Sequence, residues 1–297
     1  MVYNPFEGKI VLGIAKKESV RSLHERALFE RSYKEMARTL NGARIKERDF
    51  EDKYTSPQVE EDLVYVKERK RDSETELTRE EEEARKLAVI AEGLFFRGGN
   101  EWGWLGKDAR IIKTSEYDDW KNGVDGIIEF KGEEDDERVS HTAYGVDVTY
   151  GGRSTVRKKF QIVKREIEMG NLAKVKYFQS GSFKGERWDV PRIVIGAEKK
   201  HIMEILALGD KDAVRRHPYQ TLMLKIMQLQ FESLAAYALE KDKIALAGVF
   251  RSEEKRIRRV LQQKIIEHGR IPERLIEDKV VRAICAELKE FNPKISW

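Results

Sequence analysis

A single cysteine, Cys285, among 297 residues excludes an internal disulfide framework and any cysteine-rich metal site, and points to a reducing compartment. The five histidines, His24, His141, His201, His217 and His268, fall at no paired ligand spacing. No glycine-rich loop ends in Lys-Ser or Lys-Thr, so paired-histidine metal motifs and phosphate-cradling loops find no footing. The longest apolar run, Ile244 to Phe250, is far too short to span a bilayer. The N-terminal stretch lacks a basic segment followed by an apolar one and a small-residue cleavage site. A cytoplasmic protein without a membrane partner is therefore expected. Internal repeats and low-complexity linkers are absent as well, which favours one α/β core with helical additions over independent domains.

What is present is charge. Charged residues make up 37% and hydrophobic residues 40% of the chain, a globular composition with a heavily solvated surface. The formal net charge of +4 says little about partners, but its distribution says more. Thr114 to Glu137 holds ten acidic and two basic residues, whereas Gly151 to Ser182 holds eight basic and two acidic. An acidic segment suited to a cation is thus followed by a basic one suited to a polyanion.

The hydrophobic period sets the order of elements. Val20, Leu23, Ala27, Leu28, Met36, Ala37 and Leu40 recur at helical spacing between Glu18 and Leu40, with Asn41-Gly42 as the stop. Pro57 to Arg71 predicts a second helix. Thr78, three residues before Glu81, predicts a capping box opening a third that buries Leu87, Ile90, Ala91, Leu94 and Phe95, stops at Gly98-Gly99 and carries Glu92 at its margin. The period then becomes that of strands at Ala109 to Lys113, Val124 to Phe130 and His141 to Tyr150. A helix follows from Ser154 to Met169, then a strand at Ala173 to Phe178, a turn region over Gly181 to Asp189, a strand at Pro191 to Gly196, and helices to the end. His217-Pro218 reads as a turn leading into one of these helices.

Two carboxylates stand out. Asp125 opens one strand, and Asp147 lies between Val146 and Val148 in its neighbour, where an ionised group is costly unless paired or metal-bound. Oxygen ligands of this kind suit a hard divalent ion. The following helix brings Arg157, Lys158, Lys159, Lys164 and Arg165, cations suited to phosphate contacts, with Lys159 the preferred partner of a reacting phosphate and Lys158 its reserve.

These residues resemble the PD-(D/E)xK nuclease superfamily: a helix bearing an acidic residue (Glu92), a strand starting at Asp (Asp125), and a strand carrying Asp-x-Thr (Asp147-Val148-Thr149) in place of (Asp/Glu)-x-Lys. The resemblance implies a restriction-endonuclease-like central mixed sheet flanked by helices. It also implies Mg²⁺ or Mn²⁺ held by Asp125 and Asp147, and phosphodiester hydrolysis in nucleic acid, DNA favoured. Thr149 stands where the superfamily usually has its lysine, a role the following helix supplies in known variants. The resemblance covers roughly residues 80–200, leaving a helical N-terminal extension (1–79) and a helical C-terminal region (201–297).

Other readings stay open at this level. Asn122-Gly123-Val124-Asp125-Gly126 is also ordinary turn chemistry. The basic helix is also a solvated face pairing with Glu166 and Glu168. Trp102 and Trp104 fit base stacking or, preferably, the core. The basic cluster Lys255 to Arg259, within Arg251 to Arg274, suits a phosphate backbone or plain solvation. At the level of the whole chain, the alternatives to a nuclease are a catalytically silent nucleic-acid binder with the same fold and a helical interaction protein, possible as a homodimer.

Overall fold

A capping box opens the helix that organises this fold: Glu81 N–H donates to Thr78 Oγ1 at 3.3 Å, and Thr78 N–H donates to Glu81 Oε2 at 2.8 Å. The computed structural model describes residues 20–73, 77–130, 142–149, 152–181 and 183–296. The acidic connection Lys131 to Arg138 lies outside them. Three helices come first, α1 (Val20–Ala43), α2 (Ser56–Ser73) and α3 (Arg79–Asn100). Leu87, Ile90, Leu94 and Phe95 of α3 pack in the same buried cluster as Phe29 and Met36 of α1. Both α1 and α3 run past their expected glycine stops. At Gly98 and Gly99 the missing Cβ is the reason: one added there would fall on the Trp104 ring and on Ile111 respectively, so the glycines allow close approach instead of ending the helix.

The strands β1 (Ala109–Lys113), β2 (Gly126–Phe130), β3 (Thr142–Thr149) and β6 (Arg192–Gly196) form one mixed sheet in the order β1-β2-β3-β6. The first two pairings are antiparallel and the last is parallel. The parallel step requires a long crossover, supplied by α4 (Arg153–Met169) and the hairpin β4 (Ala173–Ser180) and β5 (Phe183–Val190). Alternation divides the faces. Ile111, Ile128, Phe130 and Val146 join the cluster containing α3, whereas Ile112, Val124 and Ile127 pack with Val175, Phe178 and Val190 of the hairpin.

β5 corrects the sequence reading, which expected a turn from Gly181 to Asp189. The chain turns at Gly181 with φ +53°, and Phe183–Val190 is a strand whose apolar alternation is hidden because its outer side is solvated. Phe183 and Trp188 are exposed, and Lys174 pairs with Glu186 across the hairpin at 3.0 Å.

The C-terminal helices α5 (Lys199–Ala207), α6 (Lys211–Arg215), α7 (Tyr219–Glu240), α8 (Ile244–His268), α9 (Glu273–Ile276) and α10 (Lys279–Phe291) share the larger core. α7 follows Pro218, as the His217-Pro218 pair predicts. Its Gln230 side chain accepts the Val194 N–H at 2.8 Å and donates to the Val194 carbonyl at 2.7 Å, satisfying backbone groups on the edge strand β6. Among the described residues no helix is long and apolar enough to cross a membrane.

Candidate metal centre and carboxylate cleft

The end of β1 places Lys113 on the same face as Ile111, and its side chain is only 1% exposed. Its ammonium donates to the Asp125 carbonyl at 2.8 Å and to Asp119 Oδ2 at 3.0 Å, and lies 2.8 Å from Glu92 Oε1. Burial alone would pull the Lys113 pKa down, but Asp119 and Glu92 outweigh it and the net shift is upward. Asp119 is raised by burial and lowered more by Lys113 and Arg44, so its carboxyl stays below the usual range. The result is a charged network at the mouth of a crevice lined by Glu92, Phe95, Phe96, Lys113, Asp125 and Val146.

Asp125 is half-buried at the start of β2. Its N–H donates to Val146 O at 2.9 Å, which sets its backbone beside the residue preceding Asp147. Asp147 sits in β3 opposite Val194 of β6. Lys113 therefore ties the Glu92 carboxylate to the Asp125 backbone carbonyl, beside the strand that carries Asp147. Sequence reasoning missed Lys113. Its parity with Ile111 was the available signal, since an alternating strand points Lys113 to the core.

The remaining sequence candidates are spread more widely. Thr149 ends β3 and is buried, and Lys159 is half-buried on α4. Arg157, Lys158 and Lys164 are exposed, with Val156, Phe160, Val163 and Ile167 forming the inner side of that helix. Glu129 is committed to structure, bonded to Arg110 Nε at 2.8 Å and to the Ser180 hydroxyl at 2.7 Å. Asp118 is likewise structural: it is fully buried and accepts the N–H groups of Lys176 and Tyr177 at 2.7 and 2.9 Å. Trp102 and Trp104 are buried, which removes the base-stacking reading. Glu253 and Glu254, within the basic C-terminal segment, are buried on α8.

A second group was invisible to ligand spacing. Glu198, His201 and Asp278 bring a carboxylate oxygen, an imidazole nitrogen and a second carboxylate oxygen within 4.8 Å of one another, a cluster able to hold a metal ion. The histidines thus do contribute a metal-capable group, through partners distant in sequence. Glu198 precedes α5, His201 lies in its first turn, and Asp278 caps α10.

No family model, curated protein or solved structure matches this chain. The fold and the two clusters are therefore what bears on function.

Proposed function

We propose that this chain is a divalent-ion-dependent phosphodiesterase acting on nucleic acid, a divergent restriction-endonuclease-like nuclease whose centre is the carboxylate cleft at the start of β2. The observation that carries this reading is the junction of the Glu92 carboxylate and the Asp125 backbone carbonyl on the buried Lys113, beside the strand of Asp147. The strand order, with β3 and β6 parallel across a long crossover, supports it.

Asp125 and Asp147 are the proposed ligands, hard oxygen donors suited to Mg²⁺ or Mn²⁺. A divalent ion supplies Lewis-acid polarisation of the phosphodiester and activation of water. Glu92 assists, and Lys113 is a positioning residue that holds Glu92 and the Asp125 backbone together. Lys159 on α4 is the proposed cation for the developing phosphate charge. Arg157, Lys158 and Lys164 make sequence-independent phosphate contacts, with DNA the favoured target.

The catalytically silent binder is the second reading, favoured by one observation: Thr149 is buried at the end of β3, so that strand position supplies no cation. Incubation of circular, linear and single-stranded nucleic acids with the protein and Mg²⁺ or Mn²⁺, against an EDTA control, separates the two. The nuclease reading predicts cutting that EDTA abolishes; salt-sensitive binding without cutting supports the binder.

A further inference from the structure

We propose that Glu198, His201 and Asp278 form a metal site of their own, taking a divalent transition ion of the zinc class, which ties the C-terminal helix α10 to the junction of β6 and α5. This inference does not rest on the nuclease reading.

The ligands are held before any ion arrives. Asp278 is fully buried, and its Oδ1 accepts Val280 and Val281 N–H at 2.8 and 3.1 Å while its Oδ2 accepts Glu198 N–H at 2.8 Å. Oδ2 keeps a further lone pair and faces His201 Nε2 at 3.7 Å. That separation is too long for a hydrogen bond, but it suits two ligands sharing an ion at about 2.0–2.2 Å.

His201 provides the independent sign. Its side chain is 4% exposed, and Nε2 is buried without a hydrogen-bond partner, which is costly for a ring nitrogen. On the other side Nδ1 faces Glu204 Oε2 at 3.4 Å, and Glu204 is itself held by Arg274 at 2.6 Å. A carboxylate behind an imidazole fixes the ring and its tautomer and raises its basicity toward a metal.

One imidazole nitrogen beside two carboxylate oxygens favours borderline ions such as Zn²⁺ or Co²⁺ over Mg²⁺ or Ca²⁺. Glu198 is 15% exposed and borders a cleft shared with Glu80, Glu83, Lys199 and Lys200, the route of entry. Lys200, whose side chain is 59% exposed, pairs with Glu198 Oε2 at 2.9 Å and yields this oxygen to the ion. Binding only to the folded chain stabilises it.

The test is titration of the chelator-treated full-length protein with Co²⁺, read by its d–d absorption, and with Zn²⁺, read by calorimetry and thermal unfolding. Expected are one equivalent of Co²⁺ band competed out by Zn²⁺, a higher Tm with Zn²⁺ that EDTA reverses, and affinity weakened by about 100-fold in His201→Gln, a loss at least that of disturbing a ligand's supporting shell. The Asp125→Asn/Asp147→Asn protein retains this binding. In the wild type, one Co²⁺-shifted exchangeable imidazole N–H reports histidine ligation even if His201→Gln fails to fold. No Co²⁺ band, a band without a shifted imidazole, undiminished binding by folded His201→Gln, or loss of binding in Asp125→Asn/Asp147→Asn instead would each overturn the proposal. The last of these outcomes would place the ion in the carboxylate cleft and leave the nuclease reading standing.

Discussion

The Lys113 ammonium lies 2.8 Å from Glu92 Oε1, joining the last residue of β1 to the middle of α3 where water scarcely reaches. One ion pair thus links the helical layer to the sheet at the point where Asp125 enters β2.

Removing that cation leaves the Glu92 carboxylate without its buried partner and Asp119 with Arg44 alone, at 3.2 Å. Lys113→Met is expected to destabilise the fold by about 3–5 kcal/mol, the usual cost of breaking a buried pair from one side. Adding Asp119→Asn should recover part of the loss. Denaturant unfolding of the single and double variants measures both, and additive losses would show that the two residues do not act as a pair.

Glu253 supplies a pH dependence of known sign. Burial raises its carboxyl to about 7, with Arg256 opposing. The folded state therefore holds this proton more tightly than the unfolded chain, and stability falls as pH rises from the ordinary glutamate value of 4.5 to about 7. Glu253→Gln should be more stable than wild type at pH 8 by on the order of 2–3 kcal/mol and nearly equal to it at pH 4. Equal stability of the two proteins at pH 8 would contradict the assignment.

The same substitution should act with opposite sign at two helical glycines. An added Cβ at Gly98 would lie 2.7 Å from Trp104 Cδ2 and cannot be accommodated without moving a buried ring, whereas at Gly248 it would meet nothing within 4 Å. Gly98→Ala is expected to cost about 1–3 kcal/mol, and Gly248→Ala to stabilise by about 0.5–1 kcal/mol. Thermal unfolding of the pair checks the signs.

If α4 tracks a phosphate backbone, Arg157→Gln and Lys158→Gln should weaken nucleic-acid binding evenly across sequences. Each should reduce the log–log salt slope by about one, while stability stays within about 0.5 kcal/mol because both side chains are exposed. Unchanged binding and salt slope would return this face to ordinary solvation.

Most of the fold was legible because its elements bury one face. The apolar rows of α3 and α4 and the alternation in β1 and β2 survive into the structure with end shifts of a few residues. β5 was not legible, since Lys184, Glu186 and Arg187 lie on a strand whose outer side faces water, where charge erases the alternation. Glu92 and Asp125 announced themselves as acids at the margins of apolar segments. Lys113 did not, because a lysine ending a strand reads as solvated until its parity with Ile111 is followed. Glu198 and His201, three residues apart, left a faint local trace, but Asp278 joins them only through the docking of α10, which no spacing rule reveals. The hydrogen bonds of Gln230 to the edge of β6 were hidden for the same reason.

The central claim is tested most directly by metal-dependent cleavage of nucleic acid by wild type, Asp125→Asn and Asp147→Asn, each shown by circular dichroism to be folded. The account predicts cutting by wild type with Mg²⁺ or Mn²⁺, lost on EDTA treatment and reduced by about 10²–10³ or more in either variant. Cutting that persists undiminished in both folded variants would contradict the assignment of the centre to Asp125 and Asp147, and a well-folded wild type that binds but never cuts would contradict the enzyme itself.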